Sequence, residues 1–118
     1  MKAIQTSAYV VAALLIGGCA SNTERTSKQW AQAMQSAETS ADHEKLAEHY
    51  DEMASTMQAN AEAERSSLTD YQLRPYRYGK RIKDLRARST RLVHDYEMAA
   101  SDNRQMADFH RQRAAELR

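Results

Sequence analysis

The chain has almost none of the residues that interrupt helices. Among 118 residues there are 3 glycines and 1 proline. After Gly18, the only two of these residues are Pro75 and Gly79, which lie close together. Most other positions carry alanine, glutamate, arginine, glutamine or methionine, which favour helices. This composition argues against a fold of many short strands and turns, and it predicts an all-α fold: an antiparallel helical hairpin of two long helices.

Cysteine and long apolar runs are also scarce. Cys19 is the only cysteine, so no disulfide forms within the chain. The one apolar run covers residues 8–16, and as a helix it spans only about half of the ~30 Å hydrocarbon core of a bilayer. Lys2 precedes this run and two small glycines follow it, a pattern typical of a cleaved export signal. We therefore expect residues 1–18 to be a signal peptide and the mature chain to begin at Cys19.

The residues before Cys19 resemble the lipobox of bacterial lipoproteins. Gly17 and Gly18 fit that pattern, while Ile16 stands where leucine is more common. The resemblance implies that the Cys19 thiol receives a diacylglycerol and that the new amino terminus is acylated, with palmitate-type chains holding the protein on a membrane. Because Ala20 follows the cysteine instead of aspartate, the resemblance implies the outer membrane, with the protein facing the periplasm.

Three segments follow from this organisation. Residues 1–18 form the signal peptide, residues 19–40 form a lipidated tether with a possible short helix, and residues 41–118 form the hairpin. Ser40 is the expected N-cap of the first long helix. The reversal is expected near residues 68–79, which contain the proline and the glycine.

Both long helices carry a stripe in alternating steps of three and four residues, the pattern of coiled-coil packing. In the first helix the stripe is Leu46, Tyr50, Met53, Met57, Asn60 and Glu64. In the second it is Ile82, Leu85, Ser89, Leu92, Tyr96, Ala99, Asn103, Met106, His110, Arg113 and Leu117. Large aliphatic residues are few, so we expect either a third packed helix or self-association into a helical bundle to complete the core.

The two stripes also resemble each other. Shifting the chain by 46 residues superimposes Leu46 on Leu92 and Tyr50 on Tyr96, which suggests a duplicated helix. The first helix contains the string His-x-x-Leu-Ala-x-x-Tyr from residue 43 to residue 50. This string is similar to those of small, alanine-rich helical lipoproteins of bacteria, and the similarity implies no activity.

Charge is distributed unevenly. Residues 20–70 contain 4 basic and 10 acidic residues, whereas residues 71–118 contain 12 basic and 6 acidic ones. The basic excess is concentrated around the turn, in Arg74, Arg77, Lys80, Arg81, Lys83, Arg86, Arg88 and Arg91. These residues could form a solvated face paired with the acidic helix, or a docking site for an anionic envelope component or an acidic protein. Nucleic acid is not an expected partner of an exported chain.

Catalysis is not expected. The sequence has no glycine-rich phosphate loop and no His-Glu-x-x-His zinc helix, so we predict a binding or structural role without a cofactor. The alternative is a metal-binding lipoprotein. With the turn near Pro75, residues whose numbers sum to about 150 lie opposite each other in an antiparallel hairpin. His43, Met106 and His110 then converge at the open end, where two imidazoles and a thioether suit copper(I). The same pairing places the basic residues far from the lipid.

Overall fold

The computed structural model describes residues 19–118, with side chains from residue 26 onward. Its three α-helices are α1 (Cys19–Ser36), α2 (Ser40–Leu73) and α3 (Ile82–Glu116). Two short 3₁₀ turns, Pro75–Arg77 and Gly79–Arg81, join α2 to α3.

α2 and α3 run antiparallel and pack against each other, so the predicted all-α helical hairpin is confirmed. The expected signal peptide, residues 1–18, lies outside the described residues. No helix in the described part of the chain is long and apolar enough to cross a membrane.

The N-cap of α2 is Thr39, one residue before the predicted Ser40. Thr39 has an extended backbone, with φ −105° and ψ 158°. Its hydroxyl accepts a hydrogen bond from the Asp42 amide at 3.1 Å, and the Asp42 carboxylate accepts one from the Thr39 amide at 3.1 Å. This capping box satisfies two amides at the start of the helix. The Ser40 hydroxyl instead donates to the Ala114 carbonyl of α3 at 2.9 Å, which ties the open end of the hairpin together.

The reversal is shorter and later in the chain than the sequence predicted. α2 continues to Leu73 because no helix breaker occurs before Pro75. Arg74 leaves the helix with φ −133° and ψ 50°, as expected for a residue that precedes proline. Gly79 has a φ of +55°, a left-handed conformation that only glycine adopts without strain. The residues around Leu68, expected within the turn, are therefore helical.

The packed seam is in part displaced by one residue from the predicted stripes. The buried alanines are Ala47, Ala54 and Ala61 of α2 and Ala100, Ala107 and Ala114 of α3, each at most 3% exposed. Of the predicted stripe, Leu46, Ser89 and His110 are buried, but Met53 is 36% exposed. A hydrophobic pattern favours Met53 over Ala54 and Met106 over Ala107, because methionine is the larger apolar residue of each adjacent pair. Two helices that approach closely need the smaller residue between their backbones, and the larger residues then flank the seam.

Equivalent positions of the two helices make equivalent ion pairs. Arg65 pairs with Glu62 on its own helix and with Glu97 across the hairpin. Their counterparts 46 residues away behave in the same way. Arg111 pairs with Asp108 on its own helix and with Asp51 across the hairpin. The hairpin thus has approximate two-fold symmetry in its charged rim, as a duplicated helix predicts.

α1 occupies most of the segment that was expected to be a tether, and it folds back over the first turns of α2. The Trp30 ring stacks on His49 at a centroid distance of 3.8 Å, and the Tyr50 hydroxyl contacts the Met34 sulfur at 2.8 Å. Because α1 runs back along α2, its first residue, Cys19, is directed toward the turn of the hairpin. By helix length Cys19 lies roughly midway along the hairpin, and the expectation that the basic residues lie farthest from the lipid stays a prediction.

Candidate functional site

A small cluster of side chains fixes the shape of the turn. The Tyr78 hydroxyl donates to the Asp70 carboxylate, and Tyr71 packs edge-on against Tyr78 at a centroid distance of 4.7 Å. Arg74 pairs with Asp70 at 2.9 Å, and the Arg86 guanidinium donates to the Tyr71 carbonyl at 2.9 Å. Both ends of the turn are thereby tied to the last two turns of α2.

These contacts shift the ionisation of two groups. The hydrogen bond from Tyr78 lowers the pKa of Asp70, with help from the nearby positive charges of Arg74 and Arg77. The same hydrogen bond raises the pKa of Tyr78, because it stabilises the neutral phenol beside a carboxylate. Asp70 is therefore ionised at neutral pH and Tyr78 is not, which keeps this contact intact.

The predicted basic residues surround this turn, and we refer to them as the basic cluster: Arg74, Arg77, Lys80, Arg81, Lys83, Arg86, Arg88 and Arg91. Arg86 is partly buried, and the other members are exposed. Among the described residues, Arg74 is the only member that forms an ion pair with a carboxylate. The structure therefore brings the predicted cluster to one end of the molecule and leaves most of its charge uncompensated.

At the open end of the hairpin, by contrast, basic residues form ion pairs with acidic residues of α2. There, Arg118 of the chain end pairs with Glu44, and Arg111 of α3 pairs with Asp51 of α2. The sequence offers pairing between an acidic and a basic helix as one explanation of the charge asymmetry. This pairing accounts for the charges at the open end. It does not account for the basic cluster, whose exposed members beyond Arg74 form no ion pair in the described part of the chain.

The two histidines predicted at the open end lie in direct contact. The Nδ1 atoms of His43 and His110 are 2.8 Å apart, and the two residues are 8% and 3% exposed. Tyr50 lies parallel to the His110 ring at a centroid distance of 5.6 Å, and Phe109 packs edge-on at 5.1 Å. We refer to His43 and His110 as the histidine pair.

The geometry of the histidine pair restricts its protonation. A hydrogen bond between two Nδ1 atoms needs one donor and one acceptor, so the two rings cannot both be protonated while it persists. Burial lowers the pKa of His110, and the positive charge of a protonated His43 lowers it further. His110 Nε2 is also buried without a hydrogen-bond partner among the described residues. Burial therefore favours the neutral form of His110 within the pair.

A metal ion fits this pair only after a small rearrangement. Two imidazole nitrogens that bind one ion at about 2.0 Å each lie roughly 3.3 Å apart or more, which exceeds the observed 2.8 Å. Met106 lies one helical turn before His110 and is partly exposed. Among the described residues, no group of three or more histidine, cysteine or acidic residues is arranged to hold a metal. That set of ligands leaves out methionine, whereas copper(I) also accepts a thioether together with two imidazoles.

Two features of the structure have no counterpart among the sequence predictions. One is a shallow groove between α1 and α2, about 390 Å³ in volume, which is lined in part by Trp30, His49 and Met53. The other is the apex of the turn, where Leu73 and Tyr76 are 71% and 78% exposed. Tyr71 and Tyr76 both lie near the turn in the sequence, and nothing local distinguishes exposed Tyr76 from packed Tyr71.

Comparisons with models of protein families, with curated proteins and with solved structures find no match to this chain.

Proposed function

We propose that this chain is a lipid-anchored protein of the bacterial cell envelope that acts by binding and not by catalysis. In this proposal Cys19 carries the lipid, the protein faces the periplasm from the outer membrane, and the basic cluster binds an anionic envelope component. The lipobox-like residues before Cys19 support the anchor, and the absence of aspartate at position 20 supports the outer membrane.

One observation carries the binding role. The ion pairs at the open end use the acidic residues that face α3, whereas exposed members of the basic cluster such as Arg81, Lys83 and Arg88 form no ion pair among the described residues. Clustered like charges repel one another, and an anionic partner relieves that repulsion. A rigid turn also presents the charges in a fixed arrangement, which lowers the entropy lost on binding.

The anchor is tested by replacing Cys19 with serine. The wild-type protein should fractionate with membranes, and mass spectrometry should show an acylated residue 19. Cys19→Ser should be released from the membrane fraction or should keep its signal peptide. Unchanged fractionation together with an unchanged processed mass would rule out lipidation at this residue.

Partner binding is tested by cross-linking in intact cells. Arg81→Gln combined with Arg88→Gln removes two exposed charges of the basic cluster, and it should weaken cross-linking to the partner. A matched control removes two charges elsewhere, with Lys45→Gln and Arg113→Gln, and it should leave cross-linking unchanged. Equal loss in both double variants would mean that net charge matters and the cluster does not.

Self-association into a helical bundle belongs to the same proposal. Nearly all of the fully buried apolar side chains are alanines, which bury little surface each, and a second copy would cover the larger side chains that flank the seam. Sedimentation equilibrium of the mature chain should give a mass above that of a monomer. A monomer at the highest concentration tested would restrict the proposal to the single hairpin.

A second candidate function is copper(I) binding by His43, His110 and Met106. The direct contact of the two imidazoles favours it, since this contact brings together residues 67 positions apart. A competition titration with a copper(I) chelator should show binding that is lost in a His43→Ala, His110→Ala double variant. Affinity should fall below about pH 6, because a protonated imidazole cannot bind metal. Affinity weaker than micromolar, or equal binding by the double variant, would exclude it.

A further inference from the structure

The apex of the hairpin combines exposed apolar side chains with a ring of cations. Leu73 and Tyr76 are the two most exposed large apolar residues in the described part of the chain. Arg74 and Arg77 lie next to them in the sequence, and Lys80 and Arg81 follow within the second 3₁₀ turn. An aliphatic and an amphipathic aromatic side chain surrounded by long basic side chains is the composition of a surface that enters the headgroup layer of a membrane.

The apex is also held in place. The Tyr78 hydrogen bond to Asp70 and the Arg86 hydrogen bond to the Tyr71 carbonyl fix the flanks of the turn. Backbone amides of residues 77 and 78 donate to the carbonyls of Arg74 and Pro75 at 3.1 Å. Leu73 and Tyr76 are therefore exposed on a rigid support, and docking them costs little conformational entropy.

The position of α1 indicates which surface the apex meets. α1 and α2 leave residues 37–39 in the same general direction, α1 for 18 residues and α2 for 34 residues. At 1.5 Å per residue these helices extend about 27 Å and about 51 Å. Cys19 and the apex therefore lie on the same side of this bend, with the apex farther along. The apex lies about 24 Å farther along than Cys19, so a hairpin lying along the surface of the bilayer that holds Cys19 brings its apex to the same bilayer.

We propose that the turn of the hairpin docks on the anionic phospholipid surface of the membrane that holds the chain, with Leu73 and Tyr76 inserted among the headgroups. This proposal rests on the lipid anchor at Cys19, and it names the anionic partner of the basic cluster. Arg77, Lys80 and Arg81 contact lipid phosphates, and the protein is held at two points, by its acyl chains and by its apex.

The test uses fluorescence of the acylated full chain reconstituted in vesicles. The chain has one tryptophan, Trp30, so Trp30→Phe combined with Tyr76→Trp gives a probe at the apex alone. A matched control combines Trp30→Phe with Phe109→Trp, which places the probe near the open end. Circular dichroism of each variant checks that the helices are retained. The vesicles contain phosphatidylcholine alone or with an equal share of phosphatidylglycerol, and brominated lipids serve as quenchers.

The apex probe should shift to shorter wavelength and should be quenched in vesicles with phosphatidylglycerol, but not in phosphatidylcholine alone. The probe at position 109 should be quenched in neither. Adding Arg77→Gln and Lys80→Gln to the apex variant should lower the ratio of docked to free apex by about fivefold per charge. Adding Lys45→Gln and Arg113→Gln should leave that ratio unchanged.

Flotation of the same vesicles separates the two proposals. A chain that floats with the vesicles while its apex probe stays unquenched would overturn the docking proposal and leave the anchor standing. A wild-type chain that does not float would overturn both. Equal quenching in both vesicle types would show insertion without charge recognition, which also contradicts the proposal.

Discussion

The buried alanines of the packed seam between α2 and α3 predict that a larger side chain at one of these positions destabilises the fold. Ala100 is fully buried at the centre of α3. Ala100→Leu adds three carbon atoms, which would stabilise the fold by about 0.8 kcal/mol each if the seam had room for them. If the two backbones approach as closely as an alanine seam requires, the added atoms instead force the helices apart. Overpacking of this kind costs about 1–3 kcal/mol, and the predicted change is a loss of about 2–3 kcal/mol.

The assay is urea denaturation of a chain that begins after Cys19, followed by circular dichroism. In a domain of this size, a loss of 1 kcal/mol lowers the melting temperature by about 4–8 °C, so thermal melting gives an independent check. Ala87→Leu is the matched control, because Ala87 lies on the exposed face of the same helix. It should change stability by less than about 0.5 kcal/mol. An unchanged or increased stability of Ala100→Leu would refute the close-packed seam.

Three further predictions test the histidine pair, the charged rim and the helix cap. The lowered pKa of His110 means that the fold favours the neutral form of this side chain. The free energy of unfolding should therefore hold above about pH 6.5 and fall as the pH drops through the folded-state pKa of His110. In urea denaturation, His110→Gln should reduce this dependence on acid. Asp51→Arg should destabilise by about 0.5–1 kcal/mol at low salt. Adding Arg111→Asp should recover only part of the loss, because Arg111 also pairs with Asp108; no recovery would mean that the ion pair across the hairpin does not contribute. Thr39→Ala should cost about 1 kcal/mol through loss of the capping box, whereas Thr56→Ala on an exposed face of α2 should cost nothing, and equal effects would contradict the cap.

Sequence reasoning found the histidine contact for a simple geometric reason. One proline and one glycine set the place of the reversal, and antiparallel pairing about that point placed His43 opposite residues near His110. The observed pair has a number sum of 153, close to the predicted value. The turn lies several residues later in the chain than expected, so the number sums of opposite residues exceed the predicted value. The ion pair of Arg65 with Glu97 across the hairpin is an example.

The sequence by itself determined the fold class, because a chain rich in helix-favouring residues and nearly free of helix breakers favours helices along its whole length. It also determined the charge asymmetry, the basic cluster and the repeat of the two helices, all of which are properties of residue order. The residues before Cys19 likewise predict a lipid anchor from a local sequence pattern. These residues lie outside the described part of the structure.

Only the tertiary structure decided which face of each helix is buried. Leu46 and Ala47 are adjacent, and Met53 and Ala54 are adjacent, so a hydrophobic pattern cannot rank the smaller residue first. Which of two adjacent residues lies in the seam depends on the distance between the two helix axes. That distance is a property of the pair of helices and not of either helix alone. The tertiary structure likewise left most of the basic cluster without an ion pair, whereas it paired basic and acidic residues near the open end. Contacts between distant segments decide these features, and no local pattern encodes them.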